Sequence, residues 1–453
     1  MKQRIIALVL ALASALSMCM ASAFADEQEG TAETAAAAMD AGIPSTDAGE
    51  TETGAAESGE AEEPAQEEPS LAGPDSEDVT SDYEPDPVGT ITFANLERRI
   101  RENNLNVLAL EETIQSIEVI DYDKMYESIR TQLNGIAKSQ YYLLQANLGD
   151  SYTYTQLDQA YDSLRDTFES IKDGELQADN AAAIHQLQNL QDQVIMAGES
   201  LYTALVQLET QEASLQRQLA TLNRTVEEME LRYQLGQISA LQLEQTKAGR
   251  TSLVSSLETV QMNVYNLKIQ LEMMIGADLT GEISLGPVPE VTEEQLADMD
   301  LETDLAAAED VSYDLYAAGE TLKDAKEDYI DGLSEYGYSS THYGRQIVEH
   351  TWKSAQYTYD ATVQSYELNF RTLFAQVGDY KQILDAARVS LASQQDNYDA
   401  SQMKYEQGTI SKNTLLSAED DLHAAEDTVQ NAAIDLFSAY NTYCWAVQHG
   451  ILN

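Results

Sequence analysis

Cysteine is almost absent from this 453-residue chain. Of its two, Cys19 falls in the N-terminal leader discussed below, and Cys444 stands alone in the rest. No intrachain disulfide framework is therefore available, and Cys444 reads as a buried structural thiol. Proline is scarce and unevenly placed. Six of the eight fall within residues 26–90, and the other two are Pro287 and Pro289. A proline costs a helix interior about 3 kcal/mol, so the two long proline-free runs, 88–286 and 290–453, mark two helical units joined by a Pro-Val-Pro connector. Basic residues are few, 25 Lys and Arg against 78 Asp and Glu, for a net charge of −53. That balance argues against nucleic acid or an anionic lipid surface as the main partner. The five histidines (185, 342, 350, 423 and 449) are scattered, with no pair at metal-ligand spacing. The sequence has no Gly-rich phosphate loop and no nucleophile signature, so it implies no enzyme chemistry, cofactor or metal.

The N-terminus has the form of a secretory signal over residues 1–25. Lys2 and Arg4 precede an apolar stretch from Ile5 to Leu16, and Ala23-Phe24-Ala25 supplies the cleavage pattern. The stretch is short for a transmembrane helix. Cys19 offers a lipoprotein alternative, for which Met18 is a poor preceding residue. Residues 26–90 hold 20 acidic residues and no Lys, Arg or His. So little apolar surface does not offset the entropy of ordering, and the segment reads as an acidic disordered linker, either a tether or a solubilising tail. The body that follows keeps 23 basic against 58 acidic residues, most of them expected on solvated helix faces.

What the body does contain is a phrase used twice. Leu231-Arg-Tyr-Gln-Leu-Gly236-Gln-Ile238-Ser239 returns 172 positions later as Met403-Lys-Tyr-Glu-Gln-Gly408-Thr-Ile410-Ser411. Glycine suits the left-handed residue that ends a helix, and serine suits the cap that starts the next. Apolar residues approach each phrase with alternating four- and three-residue spacing, at Leu201, Leu205, Leu208, Leu215, Leu219, Leu222, Val226 and Met229 in the first case. The rhythm resumes beyond it at Leu253, Leu257, Val260, Val264, Leu267, Leu271 and Met274, and the second unit matches at the same offset. Shared motif and shared heptad register indicate duplication. The expected fold is all-α: two tandem repeats of long antiparallel coiled-coil hairpins, 91–286 and 287–453. A helix from about 178 to 234 would be roughly 85 Å long. One hairpin does not cover seams of that length, so an oligomer is expected.

These residues together resemble the TolC-like outer-membrane efflux family. The likeness rests on the duplicated Tyr-x-x-Gly-x-Ile-Ser turns, Tyr233 to Ser239 and Tyr405 to Ser411, each followed by a Leu-containing helix, Leu241 to Ala248 and Leu415 to Leu422. Each repeat closes on glycine, Met274-Ile-Gly276 and His449-Gly450, and opens on a similar segment, Leu96 to Leu105 and Val311 to Ala317. The likeness covers nearly all of 91–453. It implies a homotrimer forming a helical tunnel in the cell envelope, a transporter component without chemistry of its own. It also implies an adaptor protein and an inner-membrane pump as partners, docked at Leu235, Gly236, Ile238, Ser239, Gln407, Gly408, Ile410 and Ser411. A structural coiled-coil envelope protein that binds a partner without forming a channel is the alternative.

Three departures from the family pattern stand out. The β-barrel strands are expected to be missing: Tyr336 to Gly344 is too short for a spanning hairpin, and Lys172 to Ala178 is a polar turn. The opening motifs align at an offset of 208, against 172 for the turns, which leaves about 36 extra residues in the ascending arm of the first repeat. Where the family often narrows its tunnel with acids, this chain has Thr414 and Ser417, with Glu419, Asp420 and Asp421 one turn further on.

Overall fold

The computed structural model describes residues 86–149, 151–337 and 341–452. The leader at 1–25 and the linker up to residue 85 lie outside the described residues. The first repeat comprises β1 (Thr90–Ile91), α1 (Phe93–Asn103), α2 (Leu105–Glu118), α3 (Tyr122–Gln145), α4 (Tyr152–Lys172), α5 (Glu175–Gln234) and α6 (Ala240–Met274). A connector carries β2 (Ser284–Leu285) and the short α7 (Glu293–Ala297). The second repeat comprises α8 (Leu301–Val311), α9 (Tyr313–Tyr336), α10 (Tyr343–Glu406) and α11 (Lys412–His449). The fold is all-α, in helical hairpins.

In each repeat one very long helix pairs with a shorter one, α5 with α6 and α10 with α11. With 60 and 64 residues, α5 and α10 are about 90 and 96 Å long. The heptad positions form the seams. In the second repeat Phe370, Leu373, Val377, Leu384 and Ala387 meet Ala432, Leu436, Ala439, Tyr443 and Ala446 in one buried cluster.

Both repeats open on a helical kink and close against it. Asn104 separates α1 from α2; its side chain accepts the Asn106 and Val107 amides, and its Nδ2 donates to the Met274 carbonyl at 3.0 Å. Ser312 separates α8 from α9 and accepts the Leu315 amide. The closing glycines pack on these kinks in the left-handed conformation, Gly276 at φ 66° and Gly450 at φ 67°. A Cβ on Gly276 would lie 2.7 Å from Asn103 Cβ, and one on Gly450 would lie 2.4 Å from Ser312 Cα. The sequence shows two similar opening segments and two closing glycines but neither the kinks nor that each pair is one contact.

Among the described residues the only strands are β1 and β2, two residues each and parallel, with Thr90 opposite Ser284 and Ile91 opposite Leu285. Tyr202, fully buried on α5, donates its hydroxyl to the Gly286 carbonyl at 2.6 Å. At the start of the described residues, the Asp86 carboxylate accepts the Thr92 amide and hydroxyl and the Asn95 side chain.

The extra length of the first repeat forms a separate antiparallel hairpin, α3–α4. Sequence reasoning assigned these residues to the ascending arm; the structure instead folds them back on themselves. Tyr126 stacks on Phe168 at 4.5 Å, and Gln140 donates to Asp158 at 3.0 Å. Asn147, at φ 61°, makes the turn. The base of the hairpin joins α5 where Asn180 donates to the Tyr122 hydroxyl at 2.7 Å.

Candidate functional site: the hairpin tips and the seam between repeats

The two tips are built alike. At the first, Gly236 takes φ 70°, its amide donates to the Tyr233 carbonyl, and the Gln237 amide reaches back to the Arg232 carbonyl. This pairing satisfies the last carbonyls of α5. Ser239 then caps α6 in a reciprocal capping box with Gln242. At the second tip Gly408 takes φ 72°, Thr409 donates to the Lys404 carbonyl, and Ser411 caps α11 through the Thr414 amide. Nothing lies within 4 Å of where a Cβ would stand on either glycine, so backbone conformation alone requires them.

Ile238 and Ile410, two of the expected docking residues, are half-buried. Leu235, Gln407 and both serines are exposed, and so are Leu231, Tyr233, Met403 and Tyr405 just before the turns. Those last four belong to the repeated phrase but not to the expected docking set.

A second feature was not legible at all. The repeats meet along a polar seam between α5 and α11. From the tip inward, Asn413 donates to Glu228 at 2.9 Å, Arg224 and Thr221 both donate to Asp420, Arg217 pairs with Asp427, and Gln207 donates to Asp435 at 2.6 Å. Asp420 is therefore an inter-repeat ion-pair partner here, not the free carboxylate that a tunnel constriction needs.

Further along, Glu199 is buried and accepts from Trp445 Nε1 at 2.6 Å and Asn441 Nδ2 at 2.7 Å. Burial pushes its carboxyl above the usual range, and the two donors offset this only in part. Asp192 behaves oppositely. Burial raises it, but the His449 ring and the Arg101 guanidinium, both at 2.9 Å, outweigh that and hold it low. Cys444 is partly covered, and burial raises its thiol. Among the described residues no group of three His, Cys, Asp or Glu is placed to hold a metal, and no helix is long and apolar enough to cross a membrane.

The seam has a counterpart on the outside. Positions 172 residues from the α11 stripe fall on α6, and those from the α5 stripe fall on α10. Ile434 is 3% exposed and its equivalent Met262 57%; Met196 is 3% exposed and its equivalent Leu368 65%. Phe437 and Trp445 are likewise buried where Tyr265 and Met273 are exposed. The repeats thus use one pair of faces on each other and leave the matching pair, apolar and uncovered, at the outer edges.

No family model matches the chain, and no curated protein does. Solved structures do. The outer membrane protein VceC from Vibrio cholerae is 17% identical, with a TM-score of 0.40 over 61% of this chain and 75% of its own. A membrane protein from Pseudomonas aeruginosa is 14% identical, with a TM-score of 0.47 over 77% and 92%. The MtrE outer membrane channel of Neisseria gonorrhoeae is 14% identical, with a TM-score of 0.44 over 79% and 89%. All three TM-scores are below 0.5, and none of these proteins lends a residue role to this chain.

Proposed function

We propose that this protein is the duct component of an export or efflux assembly in the cell envelope, closed by three copies into a helical tunnel. One observation carries this reading: the faces that join the repeats inside a chain recur, unpartnered, at its two edges. Two unlike complementary faces make a head-to-tail contact, and such contacts generate rings when the rotation closes. Six hairpins from three chains would line a continuous lumen. No step of chemistry is needed; the protein supplies a path.

The exported chain should accordingly sediment with the mass of three chains at micromolar concentration. A single-chain mass would leave the hairpins as a scaffold and remove the tunnel. The tips are the proposed docking surface for an adaptor protein bridging to an inner-membrane pump. Replacing the exposed Leu235 and Tyr233 with Asp, together with Ile238→Asp and Ile410→Asp, should abolish adaptor binding and export while helicity and mass are kept. Unchanged binding would move the docking surface elsewhere.

A further inference from the structure

The α3–α4 hairpin has no counterpart in the second repeat, and the duct reading makes no use of it. Its stem is an ordinary two-helix seam, with Ile129 and Ile171 buried. Its end has a different character. Tyr141, Tyr142, Leu144, Leu148 and Tyr152 are all exposed within twelve residues. Of all the chain's residues 23% are charged, yet the nineteen from Ser139 to Leu157 include only Asp150. A tyrosine-rich knob with a single carboxylate, Asp150, thus stands on a strongly acidic protein. The turn between α9 and α10 has a milder version of the same character, with Tyr343 and Ile347 exposed.

Tyrosine pairs an apolar ring with a hydroxyl and is at home where one side is oily and the other wet, as at a bilayer's headgroup boundary. Charge narrows the choice of surface. An acidic body is repelled by an anionic surface, while a knob this depleted of charge meets zwitterionic headgroups at little Coulomb cost. Shape narrows it further. Leucines interspersed with tyrosines on a projecting turn suit insertion between lipids, whereas stacking on sugars needs a flat platform ringed by polar side chains. No helix among the described residues is suited to span a membrane, so the contact is interfacial.

We propose that the end of the α3–α4 hairpin docks on the headgroup layer of a neutral phospholipid bilayer, with the rings of Tyr141, Tyr142 and Tyr152 at the acyl boundary. This holds or fails independently of the duct reading. The test is flotation of the full chain with phosphatidylcholine vesicles. The wild type should float equally at low and high salt, because a neutral contact is not screened. The triple variant Tyr141→Ser, Tyr142→Ser, Tyr152→Ser should bind at least about tenfold more weakly with unchanged circular dichroism. In a second measurement, Tyr142→Trp should be quenched by brominated phosphatidylcholine, while the native Trp352 and Trp445 should not. The proposal is overturned if the wild type stays in the aqueous phase, if the triple variant floats equally well, or if only anionic vesicles are bound. Capture by peptidoglycan sacculi or pairing of chains through the hairpin, without vesicle binding, also overturns it.

Discussion

Glu199 and Asp192 lie seven residues apart on the seam face of α5, and the fold shifts their acidities in opposite directions. The Glu199 carboxyl is raised, so its contribution to stability is fully present below the unfolded value, about 4, and is lost as pH climbs through the folded value. The Asp192 carboxyl is lowered, so its contribution is present above the unfolded value and is lost as pH falls through the folded one. Glu199→Gln keeps an oxygen for Trp445 and Asn441 while removing the buried charge. It should raise the melting temperature at about pH 7 and change it little at about pH 3. Asp192→Asn should lower the melting temperature at neutral pH, and the difference should vanish in acid. Glycines give a second residue-scale contrast. Gly236→Ala meets open space and bears only the left-handed penalty, about 1 kcal/mol. Gly450→Ala bears that penalty and also drives a methyl into the Ser312 backbone, for about 2–4 kcal/mol in all. Thermal or denaturant unfolding of the two variants separates the terms.

Elements that recur with a fixed period were open to sequence reasoning. The long helices, their seams and both tip turns follow from heptads ending in Gly and Ser, because packing along a coiled coil repeats what the chain itself repeats. The α3–α4 hairpin has the same heptad rhythm as its neighbours, so its pattern merges with theirs. Only the 36-residue mismatch and the Asn147 and Gly174 turns betray it, and each alone is a weak signal. The polar seam was beyond reach for another reason. Arg224 and Asp420 are 196 positions apart, and nothing in either local pattern points to the other. These pairs remain partly exposed, so a double-mutant cycle on Arg224 and Asp420 should give a coupling of only about 0.2–1 kcal/mol, weakened by salt. Replacing residues 122–172 with a short Gly-Ser turn should leave the chain's oligomeric state unchanged, as measured by sedimentation, because α3 and α4 pack chiefly on each other and on the start of α5.

For the whole molecule, assembly and attachment are separate matters. Met262→Glu with Leu368→Glu places charge on both outer faces and leaves the internal seam intact. The double variant should sediment as single chains with undiminished helicity, and a surviving trimer would show that these faces are not the ones that close the ring. The entry of the chain into the first repeat is fixed by the small β1–β2 pairing. Residue 90 is held beside residue 284, so the first repeat begins and ends at one point. That point lies past the end of α6, about 50 Å of helix from the tip, and the α3–α4 hairpin is at the opposite end of α5. The described chain therefore enters the first repeat between the two ends of α5 rather than at either one. The two short strands and the Tyr202 hydroxyl thus clasp the start of the first repeat to its close, midway along α5 and away from both of its ends.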